Sequence, residues 1–115
     1  MRVLIVDDET EFVNMLKERL SYKNVLIDFA YDGKLALELI KANDYDIVFL
    51  DQNMPEMTGL EVARYIKDNN IKTKTVMITG YAGMAGTLAQ MVGIEEYLTK
   101  PIALKDVENI IEKYR

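Results

Sequence analysis

Four apolar runs in this sequence stop at residues able to do chemistry: RVLIVDD at 2–8, DIVFLD at 46–51, VMIT at 76–79 and EYLTKP at 96–101. The residues at those ends are Asp7 and Asp8, Asp51, Thr79, and Lys100 followed by Pro101. Each has an ordinary explanation alone: a pair of acids in a solvated turn or at a helix start, a threonine closing a strand, a lysine in a loop. Gathered at one place they make a reactive set. Three carboxylates close together repel one another, and burial raises that cost. A divalent cation relieves it. Hard oxygen donors in a chain with no histidine and no cysteine suit Mg²⁺, which takes octahedral geometry and keeps several waters. Lys100 adds an ammonium and Thr79 a hydroxyl, so the set would cradle an anion with several oxygens. Phosphoryl transfer needs such a cradle, because its catalysis is mostly positioning and charge neutralisation. A carboxylate lying between metal and lysine can itself be the nucleophile and become an aspartyl phosphate.

That chemistry requires elements that bring the four ends together. The hydrophobic period switches repeatedly along the chain. RVLIV (2–6), VLIDFA (25–30), DIVFL (46–50), TVMIT (75–79) and EYLT (96–99) read as strands. Between them, helical spacing is carried by Phe12, Met15, Leu16 and Leu20 in 11–21, by Ala36, Leu39 and Ile40 in 33–42, and by Leu60, Ala63 and Ile66 up to about Asn69. Residues 84–92 make a weaker helix interrupted by Gly86, and Leu104, Val107, Ile111 and Tyr114 line a closing one. The expected fold is α/β: a (βα)₅ doubly wound, five-stranded parallel sheet, flavodoxin-like. Strands 1, 3 and 4 are apolar throughout, as strands covered on both faces are. Strand 2 contains Asp28 and strand 5 is short and mixed, so both belong at edges. The order 2-1-3-4-5 satisfies this, and ligands then bind beyond the carboxyl ends of the strands at the switch between strands 1 and 3. All four reactive ends lie on that side.

Composition removes other classes. The chain has 115 residues, 14 basic and 19 acidic, for a net charge of −5, which argues against a nucleic-acid-binding surface. Without cysteine there is neither a disulfide nor a thiolate metal site, and without histidine the commonest general base is missing. The start MRVLIVDDE turns acidic too early for a signal peptide. Thr75–Ile94 carries no charge, yet its four glycines, three threonines and Gln90 fit a strand, loop and short helix better than a membrane span. A cytoplasmic protein of one domain, 1–115, is expected.

The motifs VDD (6–8), FLDQNMPEMTG (49–59), MITGY (77–81) and EYLTKP (96–101) resemble, at these separations and over essentially the whole chain, the response-regulator receiver domain of two-component signalling, a CheY-like family whose own strand order is 2-1-3-4-5. The resemblance implies that Asp51 is the phosphoacceptor, that Asp8 binds Mg²⁺ directly with Asp7 helping, and that the Asn53 backbone carbonyl completes the metal shell. It makes Thr79 the hydroxyl that bonds the phosphoryl group, Lys100 the ion-pair partner of that group, and Tyr97 the aromatic switch that follows Thr79 inward. It implies a cis Lys100–Pro101 bond, and a sensor histidine kinase as the phosphodonor. It makes the protein no conventional enzyme, but one that catalyses its own phosphorylation and dephosphorylation.

Several residues carry a plainer alternative. Tyr97 can be an edge-strand aromatic. Glu9 is read as a helix-start carboxylate favoured by the helix dipole, and Gly59 as serving the loop or helix start. Tyr81, two past Thr79, is bulkier than usual for the family and is expected to shield the phosphoryl group and slow its hydrolysis. The uncharged, glycine-rich stretch 80–93 is expected to be locally unstable, as switching elements tend to be, with Met84 and Met91 offering either a partner surface or core. Phosphorylation would then change the face formed by strand 4, the segment 84–92, strand 5 and the closing helix, and so control binding of a downstream protein. With no output domain expected, direct nucleic-acid or membrane contact is not, and the state should be a monomer or a weak phosphorylation-dependent dimer. Rival readings are a Mg²⁺-dependent phosphatase with an aspartyl nucleophile, a flavin-binding electron carrier, and a receiver-like binding module that is never phosphorylated. The phosphatase usually wants a second acid where Asn53 stands. The flavin carrier wants a phosphate loop after strand 1.

Overall fold

The computed structural model describes residues 1–21, 24–80 and 93–115. Its elements are β1 (Arg2–Val6), α1 (Thr10–Arg19), β2 (Leu26–Ala30), α2 (Gly33–Ala42), β3 (Ile47–Asp51), α3 (Gly59–Asp68), β4 (Lys74–Thr79), β5 (Glu96–Thr99) and α4 (Leu104–Tyr114), the closing helix. The strands form one sheet in the order β2-β1-β3-β4-β5, every neighbouring pair parallel. The fold is the flavodoxin-like one expected from the pattern of apolar runs.

The central strands are buried along most of their length, and β3 along all of it. Alternate residues of those strands feed two separate apolar layers. Leu4, Val6, Val48, Leu50 and Met77 pack with Ala36 and Ile40 of α2 and Val62, Ala63 and Ile66 of α3. Val3, Ile5, Ile47, Phe49, Val76 and Ile78 pack with Leu16 of α1 and Val107 and Ile111 of α4. A strand covered on both faces has no solvent side on which to place polar residues, which is why IVFL reads as continuous rather than alternating. The edges differ: Leu26 of β2 stays 66% exposed, and β5 is only partly buried.

Helices α2 and α3 start where the sequence supplies a side-chain acceptor for a free N–H group. Asp32 accepts from Leu35 at 2.7 Å ahead of α2, and Thr58 accepts from Glu61 at 3.3 Å ahead of α3. Before α4 the roles reverse, with the Asp106 carboxylate accepting the Ala103 N–H at 2.7 Å. Helix α1 is shorter than its apolar spacing suggests: it ends at Arg19, and Leu20 turns into extended backbone while burying its side chain. Strand β3 runs one residue further than expected, because Gln52 N–H still bonds Ile78 O at 2.9 Å and so keeps Asp51 in the ladder. The expected helix at 84–92, and with it Tyr81, Met84 and Met91, lies outside the described residues. Among the described residues no helix is long and apolar enough to cross a membrane.

Candidate functional site

The carboxyl ends of β1 and β3 lie side by side at the switch in strand order, with Val6 in register with Leu50. Asp7 continues β1, its N–H bonded to Ala30 O at 3.1 Å, and its carboxylate turns back to accept the Glu9 N–H at 2.9 Å. Asp51 is the last residue of β3. Asp7 is 1% exposed and Asp51 fully buried, whereas Asp8 faces outward at the rim. Carboxylate oxygens of Asp7, Asp8 and Asp51 all lie within 4.8 Å of one another.

Among the described residues one ammonium serves this group. Lys100 Nζ is 3.0 Å from Asp51 Oδ1 and 3.5 Å from Glu9 Oε1. The lysine is held from behind by its own backbone: Lys100 N–H bonds Thr79 O at 2.8 Å, and the Lys100–Pro101 peptide bond is cis. Asn53 N–H donates to Asp51 Oδ1 at 3.3 Å, so that oxygen has two partners. Asp51 Oδ2 is buried and has none. A buried carboxylate oxygen without a partner is costly.

The titration of the groups records the same imbalance. Burial pushes the Asp7 carboxyl up to about 6, opposed by the bond from Glu9 N–H and reinforced by the charge of Asp51. Burial likewise raises Asp51; the hydrogen bond and charge of Lys100 oppose it without cancelling it. Burial disfavours the Lys100 ammonium, but the hydrogen bond to Asp51 and the charges of Asp51, Asp7 and Glu9 outweigh that and raise it. One ammonium therefore leaves the acids under-neutralised. Three converging hard oxygen donors, one buried oxygen without a partner and the absence of any softer ligand fit a Mg²⁺ ion.

Thr79 ends β4 almost fully buried, one residue beyond the position in register with Asp51, and pairs with Thr99 of β5. Tyr97 lies against the layer that contains Leu50 and Met77, and its hydroxyl is buried without a hydrogen-bond partner. The sequence-predicted residues Asp7, Asp8, Asp51 and Lys100 are thus brought together, with Asn53 tied to them through its N–H. Thr79 stands at the adjacent strand end, and Tyr97 sits two residues before the end of the next strand.

Three further residues support the site; sequence reading gave Glu9 only as a helix-start acid, placed Gly59 at the loop or helix start where it stands, and assigned Gln52 no role. Glu9 stands at the N-cap of α1 but makes no capping bond; its side chain goes to Lys100 instead. Gly59 opens α3 against the Asp51 carbonyl, where an added Cβ would sit 2.7 Å from that oxygen and 2.9 Å from Met77 Sδ. Gln52 Oε1 accepts the Leu60 N–H at 2.9 Å, which clamps the loop after Asp51 onto the start of α3. Glu9 had a signal, since it continues the acidic run Asp7-Asp8. The packing of Gly59 against Asp51 and the Gln52 bond depend on contacts between segments, which no local pattern signals.

Beside the acids, Asp7, Glu9, Phe12, Lys100, Pro101 and Ile102 line an open cavity of about 470 Å³. A hollow of similar size, about 480 Å³, lies at the amino ends of β3 and β4 near Asp46, Lys72 and Tyr114, away from the acidic group.

Comparison with known proteins agrees with this geometry. The family model described as "Response regulator receiver domain" matches residues 3–112. The chain is 34% identical over 108 residues to the transcriptional regulatory protein CutR of Streptomyces coelicolor, covering 93% of this chain and 50% of that protein. It is 32% identical over 115 residues to the response regulator ArlR of Staphylococcus saprophyticus, covering 99% and 50%. The chain therefore spans about half the length of the curated relatives it matches. Among solved structures, the response regulator TrrA of Thermotoga maritima in complex with Mg²⁺–BeF is similar at a TM-score of 0.84 and 32% identity, over 99% of this chain and 98% of that one. A CheY-like receiver domain from Methylobacillus flagellatus is similar at a TM-score of 0.80 and 28% identity, over 100% and 98%.

Proposed function

The chain belongs to the response-regulator receiver domain family of two-component systems, and on that premise we propose that it is a switch set by phosphorylation of Asp51. The observation that carries the reading is the state of Asp51: fully buried at a strand end, held through one oxygen by Lys100 at 3.0 Å, with the other oxygen unpartnered inside a three-carboxylate group.

In the proposed reaction an Asp51 carboxylate oxygen attacks the phosphorus of a phosphohistidine on a sensor kinase. The new P–O bond forms as the P–N bond breaks, and the electron pair leaves with the imidazole nitrogen. Asp7, Asp8, Asp51 and the Asn53 carbonyl would hold Mg²⁺, which when bound neutralises charge on the transferring phosphoryl oxygens. Lys100 favours the ionised form of Asp51 and orients it, then pairs with the phosphoryl group it has acquired. The Thr79 hydroxyl bonds the same group from the next strand. Burial of Asp7 and Asp51 at the ends of β1 and β3 restricts access to the nucleophile.

The readout is a shift between two conformations, biased by those new contacts of Thr79 and Lys100. Tyr97 is suited to follow, because its buried hydroxyl has no hydrogen-bond partner to hold it in place. The downstream partner in this reading is a protein that meets the face of β4, β5 and the closing helix, and the setting is the cytoplasm.

Incubation with Mg²⁺ and a small acyl phosphate, followed by intact mass measurement, tests the proposal. A gain of one phosphoryl group that Asp51→Asn abolishes is expected. No gain from an acyl phosphate or from a phosphorylated histidine kinase would overturn it.

A further inference from the structure

Lys100 is shared. Its ammonium lies 3.0 Å from Asp51 Oδ1 inside the acidic group and 3.5 Å from Glu9 Oε1 at the rim. The two acceptors differ in setting: the Asp51 side chain is fully buried, while that of Glu9 is 63% exposed. The Glu9 backbone is fixed by its N–H bond to Asp7, so the side chain reaches over the lysine from a defined anchor. The Lys100 side chain is itself 25% exposed and borders the cavity of about 470 Å³ that Glu9 also lines, so it has room to move outward.

Asp51, which with Asp7 and Asp8 would hold the cation, already carries the Lys100 ammonium. Two positive charges on one carboxylate, the ammonium at Oδ1 and the cation drawn to the unpartnered Oδ2, would repel, and the ammonium would then shift outward while staying close enough to meet a phosphoryl oxygen later. We propose that Glu9 is a positioning residue that supplies the outer seat for Lys100, taking the ammonium as the cation displaces it from Asp51. The inference rests on the Mg²⁺ reading above and assigns Glu9 no contact with the metal. Without the outer acceptor, the lysine competes with the cation for Asp51.

Mg²⁺ titrations of the full chain, followed by calorimetry, test this through a double-mutant cycle on Glu9 and Lys100. Glu9 is exposed and makes no capping bond, so Glu9→Gln leaves the fold intact. The substitution is expected to weaken Mg²⁺ binding by about three- to tenfold in the wild-type background. In a Lys100→Met background, where there is no ammonium to seat, its effect should fall below about twofold. Equal weakening in both backgrounds means that Glu9 acts as a general charge or as a ligand, and overturns the proposal, as does no weakening in the wild type. A wild-type chain that binds no Mg²⁺ defeats the metal reading instead. The seat is then judged by the NMR signal of the Lys100 Cε group in the metal-free chain, which Glu9→Gln shifts if the pairing exists and leaves in place if it does not.

Discussion

The two ends of the same sheet handle charge in opposite ways. At the amino end, Arg2, Asp28, Tyr45 and Asp46 form a closed network. Arg2 Nε and its guanidinium reach Asp28 Oδ2 at 3.2 and 3.1 Å, the Tyr45 hydroxyl donates to the same oxygen at 2.7 Å, and Arg2 N–H donates to Asp46 Oδ2 at 2.8 Å. Tyr45 O in turn accepts from Thr73 Oγ1, and the hydroxyl of Tyr45 is pushed up to about 12, by burial first and by Asp28 second. At the carboxyl end, the acids outnumber the one lysine beside them, two of them are buried, and one oxygen has no partner. Both ends are made of ordinary ionisable residues on the same strands. The closed network meets its own hydrogen-bonding demand, and the open one leaves a buried acceptor unmet. An unmet electrostatic demand, rather than the presence of charge, distinguishes a site from a scaffold.

The contrast is broken most severely at Asp51. Asp51→Asn should remove phosphorylation altogether, measured as loss of the added mass, while Asp28→Asn at the closed end leaves it intact. The same Asp51 substitution should raise the melting temperature of the metal-free chain, because it removes a buried charge that Lys100 only partly offsets.

Acidity comes next. The folded-state value of Asp7, about 6, exceeds the ordinary 3.8, so the folded protein binds more protons than the unfolded chain between those values. The Asp7 contribution therefore falls as pH rises from about 4 to about 6, by up to about 3 kcal/mol. Asp51 is raised as well and acts in the same direction, whereas the depressed Glu96 acts in the opposite one. Denaturation of metal-free protein at pH 5 and pH 7 should thus show a steeper loss for the wild type than for Asp7→Asn. Equal slopes would remove the open end's distinguishing property.

Gly59→Ala tests whether the open end needs its close backing. A Cβ placed 2.7 Å from Asp51 O must displace the strand end or the start of α3, at a cost of about 1–3 kcal/mol by chemical denaturation, with slower phosphorylation. Tyr45→Phe is the smallest change, costing about 1 kcal/mol for one hydrogen bond at the closed end and leaving the phosphorylation rate at its wild-type value. A rate change there would mean that the two ends communicate through β1 and β3.

Much of this was legible in advance for a local reason. The central strands are apolar on both faces because both faces are covered, and Asp28 marks β2 as an edge because a charge needs water or a partner nearby. The strand-end acids stood out against those runs. Boundaries were less legible. Asp51 belongs to β3 because of a bond from Gln52 to Ile78 on another strand, and Leu20 ends α1 by burying itself in a layer that only the assembled helices create. Glu9 reads locally as a favourable helix-start acid, and its pairing with Lys100 crosses 91 positions of sequence.

The sequence by itself determined which strands are central and which lie at the edges, the side of the sheet on which the reactive residues gather and the hard-oxygen character of their donors. Those properties follow from period, composition and residue type, which are local. Only the tertiary structure decided which carboxylate oxygen is left without a partner, which acids share the single lysine and why a glycine must stand behind Asp51. These depend on distances of a few ångströms between segments far apart in the chain. At that range burial and Coulomb energy change steeply with position, and no local pattern records them.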